Sequence, residues 1–186
     1  MTSELPITLC EPSRLPEVYK LRTFAWENSP GAADINSQRF PNGYSDILDS
    51  RSIHFKATTR EGEIVAAARL TLCQHLSELP YQSMFKWSFD KIPTTSPFLF
   101  YSRLVIHPSF RKRGLRQQFD EIRLRKQMDM AVPFGLVTIN RKRQLQLAEY
   151  GFEFLADAYA SDEASPFTGL GVMIIQLEKI RIPQPA

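Results

Sequence analysis

Hydrophobic and polar positions divide the chain into short strands and helices, and the densest apolar run lies in the middle. Residues 97–107, Pro-Phe-Leu-Phe-Tyr-Ser-Arg-Leu-Val-Ile-His, carry aromatic and branched side chains almost without a break. Such a run predicts a strand covered on both faces. After Pro108 and Ser109 the character reverses. Phe110-Arg111-Lys112-Arg113-Gly114-Leu115-Arg116 is a basic turn, and Leu115, Phe119 and Ile122 then recur at helical spacing. That helix, starting at Gly114, must stop before Pro133.

The remaining pattern fills in on either side. Ile7 to Cys10 predicts a short strand, and Ser13 and Pro16 mark a helix start. Val18, Leu21, Phe24 and Ala25 give that helix an apolar stripe, and Ser29-Pro30-Gly31 ends it. Residues 31–50, with Asn36, Pro41, Asn42, Gly43 and Asp46, predict a loop and one short helix, a place for a substrate-covering segment. Ile53 to Thr59 alternates as a strand and pairs with Glu63 to Cys73 around Glu61-Gly62. Residues 74–96 mix Pro80 and Pro93 with Tyr81, Phe85, Trp87 and Phe89, an irregular insertion with helical character around Gln82 to Lys86. Phe134 to Ile139 is a buried strand, parallel to 97–107 because a helix of suitable length joins the two. Asn140 closes it, Arg141 to Tyr150 forms a helix ended by Gly151, and Phe152 to Leu155 and Val172 to Leu177 are the last strands. The tail 183–186 is expected to fray.

Composition narrows the class. A length of 186 residues predicts one domain, 1–186, able to bury a full core. Hydrophobic and charged fractions of 43% and 23% are those of a soluble globular protein. Cys10 and Cys73 are the only cysteines, which argues against a disulfide scaffold or a thiolate metal site; no metal is expected. No leader-like N-terminus or membrane-length apolar stretch is visible, so a cytoplasmic location is expected. The net charge of +3 is modest, although basic residues cluster at the turn and at Arg141, Lys142 and Arg143.

Chemistry concentrates at the turn. A strand that ends in a basic, glycine-containing turn and opens a helix presents backbone N–H groups and a positive dipole end to one point, which suits a diphosphate. Arg69 and Arg103 lie within apolar strands, where an unpaired guanidinium is costly, so each must meet a carboxylate: Asp46 or Asp49, or that of a substrate. Groups able to move a proton are Tyr101, His107, His54, Glu149 and Asp46. Tyr81, Phe85, Trp87 and Phe89, with Phe98 and Phe100, are core or the lining of an acyl pocket.

Residues 104–115, Leu-Val-Ile-His-Pro-Ser-Phe-Arg-Lys-Arg-Gly-Leu, resemble the acyl-CoA segment of the GNAT superfamily of N-acyltransferases, and Asn140 with Gly151-Phe152-Glu153 resembles its second segment. The resemblance implies an α/β fold with a central mixed sheet flanked by helices. It implies an enzyme moving an acyl group from acyl-CoA, acetyl-CoA or an acyl carrier protein thioester to the amine of a small molecule. Arg111, Lys112, Arg113, Gly114, Leu115 and Arg116 would then hold the cofactor diphosphate. Leu104, Val105 and Ile106 would offer backbone groups to the pantetheine arm and the thioester carbonyl, and Asn140 would line the arm. Tyr101, Tyr150 and His107 are the catalytic candidates. Arg116 departs from a family Gly or Ala, and Leu147 stands where many members carry a thiolate-protonating tyrosine. Arg22, Phe24, Trp26, Asp46, Asp49, Arg69, Phe85 and Ser102-Arg103 resemble acyl-homoserine-lactone synthases and related N-acyl amino acid synthases, with Phe100 where those carry a functional glutamate. By that resemblance Arg69, Arg103 and Asp46 bind substrate.

Two other classes stay open on the sequence. One is a GNAT-fold module that holds acyl-CoA without turnover. The other is a nucleic-acid binder working through Arg111 to Arg116, Arg123, Arg125, Lys126 and Arg141 to Arg143, although no nucleic-acid motif accompanies the charges. The same basic patch also suits an acidic carrier protein.

Overall fold

The computed structural model describes residues 5–28, 35–93, 96–161 and 168–183. The strands are β1 (Ile7–Leu9), β2 (Ile53–Thr58), β3 (Ile64–Cys73), β4 (Phe98–Ile106), β5 (Phe134–Asn140), β6 (Glu153–Asp157) and β7 (Leu170–Gln176). They form a seven-stranded sheet in the order β1-β2-β3-β4-β5-β7-β6. β4 and β5 run parallel from Phe98↔Phe134 to Tyr101↔Val137, as the connecting helix requires. β1–β2, β2–β3, β5–β7 and β6–β7 are antiparallel, so the sheet is mixed. The helices are α1 (Leu15–Glu27), α2 (Leu115–Asp129) and α3 (Arg141–Ala148).

Three local readings change. The predicted alternation of Ile53 to Thr59 is absent: His54, Phe55, Lys56 and Ala57 are buried in succession. His54 and Lys56 each find a polar partner there, His54 on the Asp49 carbonyl and Lys56 on Glu11. The helical stretch of the insertion runs on as a 3-10 helix to Lys91. The first helix closes at Asn28, whose side-chain amide donates to the Phe24 carbonyl at 2.9 Å; Ser29-Pro30-Gly31 and residues 184–186 lie outside the described residues.

The chain forms two compact units, Met1–Leu70 with Arg103–Ile122, and Thr71–Ser102 with Arg123–Ala186. In the first, α1 places Val18, Leu21 and Ala25 against Ala67 and Val105. The loop before β2 is seated on α1. Tyr44 N–H donates to the Tyr19 carbonyl at 3.1 Å and to Thr23 Oγ1 at 2.9 Å. Gly43 (φ +90°) lies so close that a Cβ would sit 2.4 Å from Lys20 N. In the second unit Phe98 stacks on Phe134 at 5.5 Å with Leu136 and Ile174 buried on the same face of the sheet, and Leu99 and Ile175 are buried on the other. Each such side chain contributes about 1.5–3 kcal/mol by leaving water.

The seating of the loop on α1 makes Gly43 critical. Gly43→Ala adds both a left-handed strain and a backbone clash and is expected to lower Tm by roughly 6–12 °C, about 3 kcal/mol for a chain of this length. Gly62 also has a positive φ, of +88°, but open space around it, so Gly62→Ala should cost only about 1 kcal/mol. Equal losses in thermal melts of the two variants would show that the loop is not held against α1.

Candidate active site

The first unit encloses an ionic cluster built from five segments. Arg22 lies on the buried face of α1, His54 on β2, Arg69 on β3, Arg103 on β4, and Asp46 and Asp49 on the loop ahead of β2. Arg22 and Arg69 are 0% exposed. Asp49 accepts from Arg22 at 2.8 Å and from Arg69 at 2.9 Å. Asp46 bridges two arginines: Arg69 through contacts of 2.5 and 3.1 Å, and Arg103 through Nη2 at 2.6 Å and Nε at 3.1 Å. The loop backbone adds to this, Asp46 N–H donating to Asp49 Oδ2 and Leu48 N–H to Asp46 Oδ1. Both carboxylate partners that the buried arginines demand are therefore supplied from within the chain.

Electrostatics follow from the geometry. Burial alone would raise the Asp46 carboxyl, but Arg69 and Arg103 outweigh it and hold the group far below the usual carboxylate range. Asp49 is lowered in the same way, burial being outweighed chiefly by Arg22. Burial pushes His54 below its ordinary value, and the Arg22 charge acts in the same direction. His54 is thus neutral at pH 7. Its Nε2 lies 2.9 Å from the Asp49 carbonyl and its Nδ1 3.5 Å from Arg22 Nη2, which assigns the proton to Nε2. Three guanidinium groups and two carboxylates meet in this cluster. Arg22 Nε is buried without a hydrogen-bond partner, and burial lowers the Arg22 pKa.

Arg103 is the outermost member, its side chain 18% exposed. Its guanidinium also donates to Tyr44 Oη at 3.2 Å and lies over the Tyr44 and Trp26 rings at 5.0 and 5.6 Å. Its backbone is left-handed, φ +57°, in the middle of β4. Nothing in the sequence marks Tyr44 for this role; it follows a turn glycine and looks like loop filling.

The basic turn lies directly after β4. His107 N–H donates to the Val65 carbonyl at 2.8 Å, its ring stacks on Phe24 at 4.9 Å, and Nδ1 accepts from Ser109 N–H at 3.3 Å. In the neutral ring that bond leaves the proton on Nε2, so His107 offers a donor rather than a base. Arg111 reaches back to the Ile106 and Ala25 carbonyls at 3.4 and 3.2 Å. Lys112 and Gly114 are both left-handed, φ +63° and +77°. The nearest atom to a Cβ on Gly114 would be Gln118 Nε2 at 3.9 Å, an ordinary contact, so the backbone there is not crowded. Leu115 is buried and anchors the first turn of α2, while Arg113 and Arg116 are exposed and Arg113 lies over Phe110 at 4.8 Å. Leu104 and Ile106 are half-buried and Val105 is buried.

The other candidates belong to the second unit. Tyr101 is buried, its hydroxyl donating to Gln127 Oε1 at 2.6 Å and its ring 5.3 Å from the Arg123 guanidinium. Gln127, which the sequence did not single out, thus fixes Tyr101 together with Arg123. Tyr150 and Leu147 are buried and Glu149 is exposed. Asn140 caps α3, its Oδ1 accepting from Arg143 N–H at 3.1 Å. Phe85, Phe98 and Phe100 are core, while Tyr81, Trp87 and Phe89 are exposed. Among the described residues no helix is long and apolar enough to cross a membrane, and no group of His, Cys, Asp and Glu could hold a metal ion.

The buried His54 predicts a pH signature. Its folded pKa lies below the ordinary 6.5, so the unfolded chain binds a proton first as pH falls through about 6.5, and stability drops at up to about 1.4 kcal/mol per pH unit. Asp46 and Asp49 contribute stability that is full above about pH 4 and fades below it. In urea melts at several pH values, His54→Gln should flatten the slope that sets in below about pH 6.5 and leave the acid limb below about pH 4. An unchanged upper slope would remove His54 from the account.

No family model matches the chain, and no curated protein matches it in sequence. Solved structures match in fold. FeeM, an N-acyl amino acid synthase from uncultured soil microbes, superposes with a TM-score of 0.66 at 10% identity, over 95% of this chain and 92% of its own. BjaI, a CoA-dependent acyl-homoserine lactone synthase solved with MTA, gives a TM-score of 0.70 at 14% identity over 89% of this chain and 77% of its own. An acetyltransferase of the GNAT family from Streptococcus pneumoniae gives 0.62 at 13% identity over 94% and 99%. The mixed sheet of this chain, with its helix-opening turn after β4, is the fold that these acyltransferases share.

Proposed function

We propose that the protein is an N-acyltransferase that moves an acyl group from a CoA or carrier-protein thioester to the amine of a small molecule. The observation that carries this reading is the turn Arg111 to Arg116 on a GNAT fold: left-handed Lys112 and Gly114, an uncrowded backbone at Gly114, and α2 beginning at Leu115. That arrangement fits a diphosphate, held by backbone N–H groups and the positive end of α2. Arg113 and Arg116 add charge from the exposed side. Leu104, Val105 and Ile106 supply backbone groups for the pantetheine arm, and an N–H of this stretch polarises the thioester carbonyl. The turn itself contributes positioning, which lowers the entropic part of the barrier. The amine, as its free base, adds to the carbonyl carbon, its nitrogen gives up a proton, the C–S bond breaks, and the thiolate takes a proton, so the proton count is unchanged. His107, directly after β4, is the catalytic candidate of the first unit for passing that proton.

The acceptor class follows from charge. Arg103 presents its guanidinium at the exposed edge of the cluster around Asp46. An amine bearing a carboxylate, such as an amino acid, complements that guanidinium, with Arg69 acting on it through Asp46.

The test supplies acetyl-CoA, a long-chain acyl-CoA or an acyl carrier protein thioester with a panel of amines, and reads thiol release and amide product by mass spectrometry. Amide is expected, with kcat/KM for an α-amino acid at least about tenfold above that for its carboxamide, the equivalent of about 1.4 kcal/mol in the transition state. Tight acyl-CoA binding without thiol release would favour a non-catalytic module, and the absence of both would leave the turn without a cofactor.

A further inference from the structure

Arg103 poses a problem that substrate binding does not answer. A side-chain-bearing residue in the left-handed region is uncommon within a strand and persists only where its surroundings over-determine it. Arg103 has φ +57° within β4. Its restraints are the two bonds to Asp46, the bond to Tyr44 Oη and the two aromatic faces. Asp46 is not free to move with Arg103, because Arg69, sealed in β3, grips both its oxygens. Tyr44 is equally fixed, its backbone bonded to α1. The anchor is therefore rigid and the strained residue is tied to it.

The strain has a local consequence. A single left-handed residue in a strand interrupts the pleat as a bulge does, releasing a backbone group from the ladder and re-aiming the residues beyond it. The β4–β5 ladder runs to Tyr101↔Val137, two residues ahead of Arg103, and the stretch after Arg103 is Leu104 to Ile106. The geometry points to Asp46 as a positioning residue for acyl transfer: by clamping Arg103 in its left-handed conformation it aims the backbone N–H groups of Leu104 to Ile106 at the thioester carbonyl. This assignment rests on the acyltransferase reading. It concerns how β4 is held, whatever amine is taken.

The clamp is tested by comparing Arg103→Gly with Arg103→Ala. Both remove the guanidinium, but only glycine enters the left-handed region freely. If the clamp enforces that conformation, kcat of Arg103→Gly should exceed that of Arg103→Ala by roughly tenfold, and Arg103→Gly should melt at or above Arg103→Ala, the reverse of the usual order within a strand. Asp46→Asn should lower kcat by roughly 10- to 100-fold with little change in KM for the acyl thioester, and adding Arg103→Gly to it should recover part of that loss. Tyr44→Phe, which removes one restraint and leaves the ion pairs, should lower kcat several-fold and serves where Asp46→Asn fails to fold. Equal kcat and equal melting of the glycine and alanine variants would overturn the clamp while the acyltransferase reading stands. A raised acceptor KM with unchanged kcat in both would assign Arg103 to substrate binding alone. A wild-type chain that neither binds acyl-CoA nor releases thiol overturns the parent reading and the catalytic role of the clamp with it.

Discussion

One carboxylate, that of Asp46, fixes three parts of the chain in one arrangement. It receives Arg69 from β3 and Arg103 from β4, while its own loop is seated on α1 through Tyr44. Buried ion pairs are a poor source of net stability, because the desolvation of each charge offsets most of the attraction. Removing one partner of such a pair nonetheless costs about 3–5 kcal/mol. The consequence is specificity: an apolar replacement could fill the same volume, but it would not fix which loop atom meets which strand.

β4 shows what that specificity serves. Its first half, Phe98 to Tyr101, is buried and laddered to β5. Its second half carries Arg103 in a left-handed conformation and ends at His107, whose N–H is taken by the Val65 carbonyl. The same strand is therefore core over four residues and site-forming over the next few. Three left-handed residues, Arg103, Lys112 and Gly114, fall within twelve positions. Only one is a glycine, and Arg103 owes its backbone conformation to tertiary contacts.

Much of this was legible in the sequence where a single principle dominated. The apolar run at 97–107, broken only at Ser102 and Arg103, reads as a covered strand, and the spacing to Phe134 suits a parallel partner through a helix. Asn140 closes its strand as the sequence reads, and in the structure it caps the following helix as well. Where two effects compete the sequence was silent. Lys56 looks exposed by hydropathy, yet it is buried because Glu11, far off in the chain, reaches it. The placing of β7 between β5 and β6 is a matter of which edge a hairpin takes, and nothing local encodes it. The demand of Arg69 and Arg103 for carboxylates was readable from burial; that one aspartate serves both depends on the loop's seat on α1, which Gly43 permits by lacking a side chain.

Charge ties these observations to chemistry. Arg22 and Arg69 are sealed and each meets Asp49 directly, whereas Arg103, bonded to Asp46, keeps part of its side chain at the surface. A cation so placed, packed against Tyr44 and Trp26 and tied to a fixed carboxylate, is the member of the cluster that an anion arriving from outside can meet. The strand conformation that aims the backbone after Arg103 and the charge that would draw an acceptor thus originate in the same residue, and both are set by the carboxylate behind it.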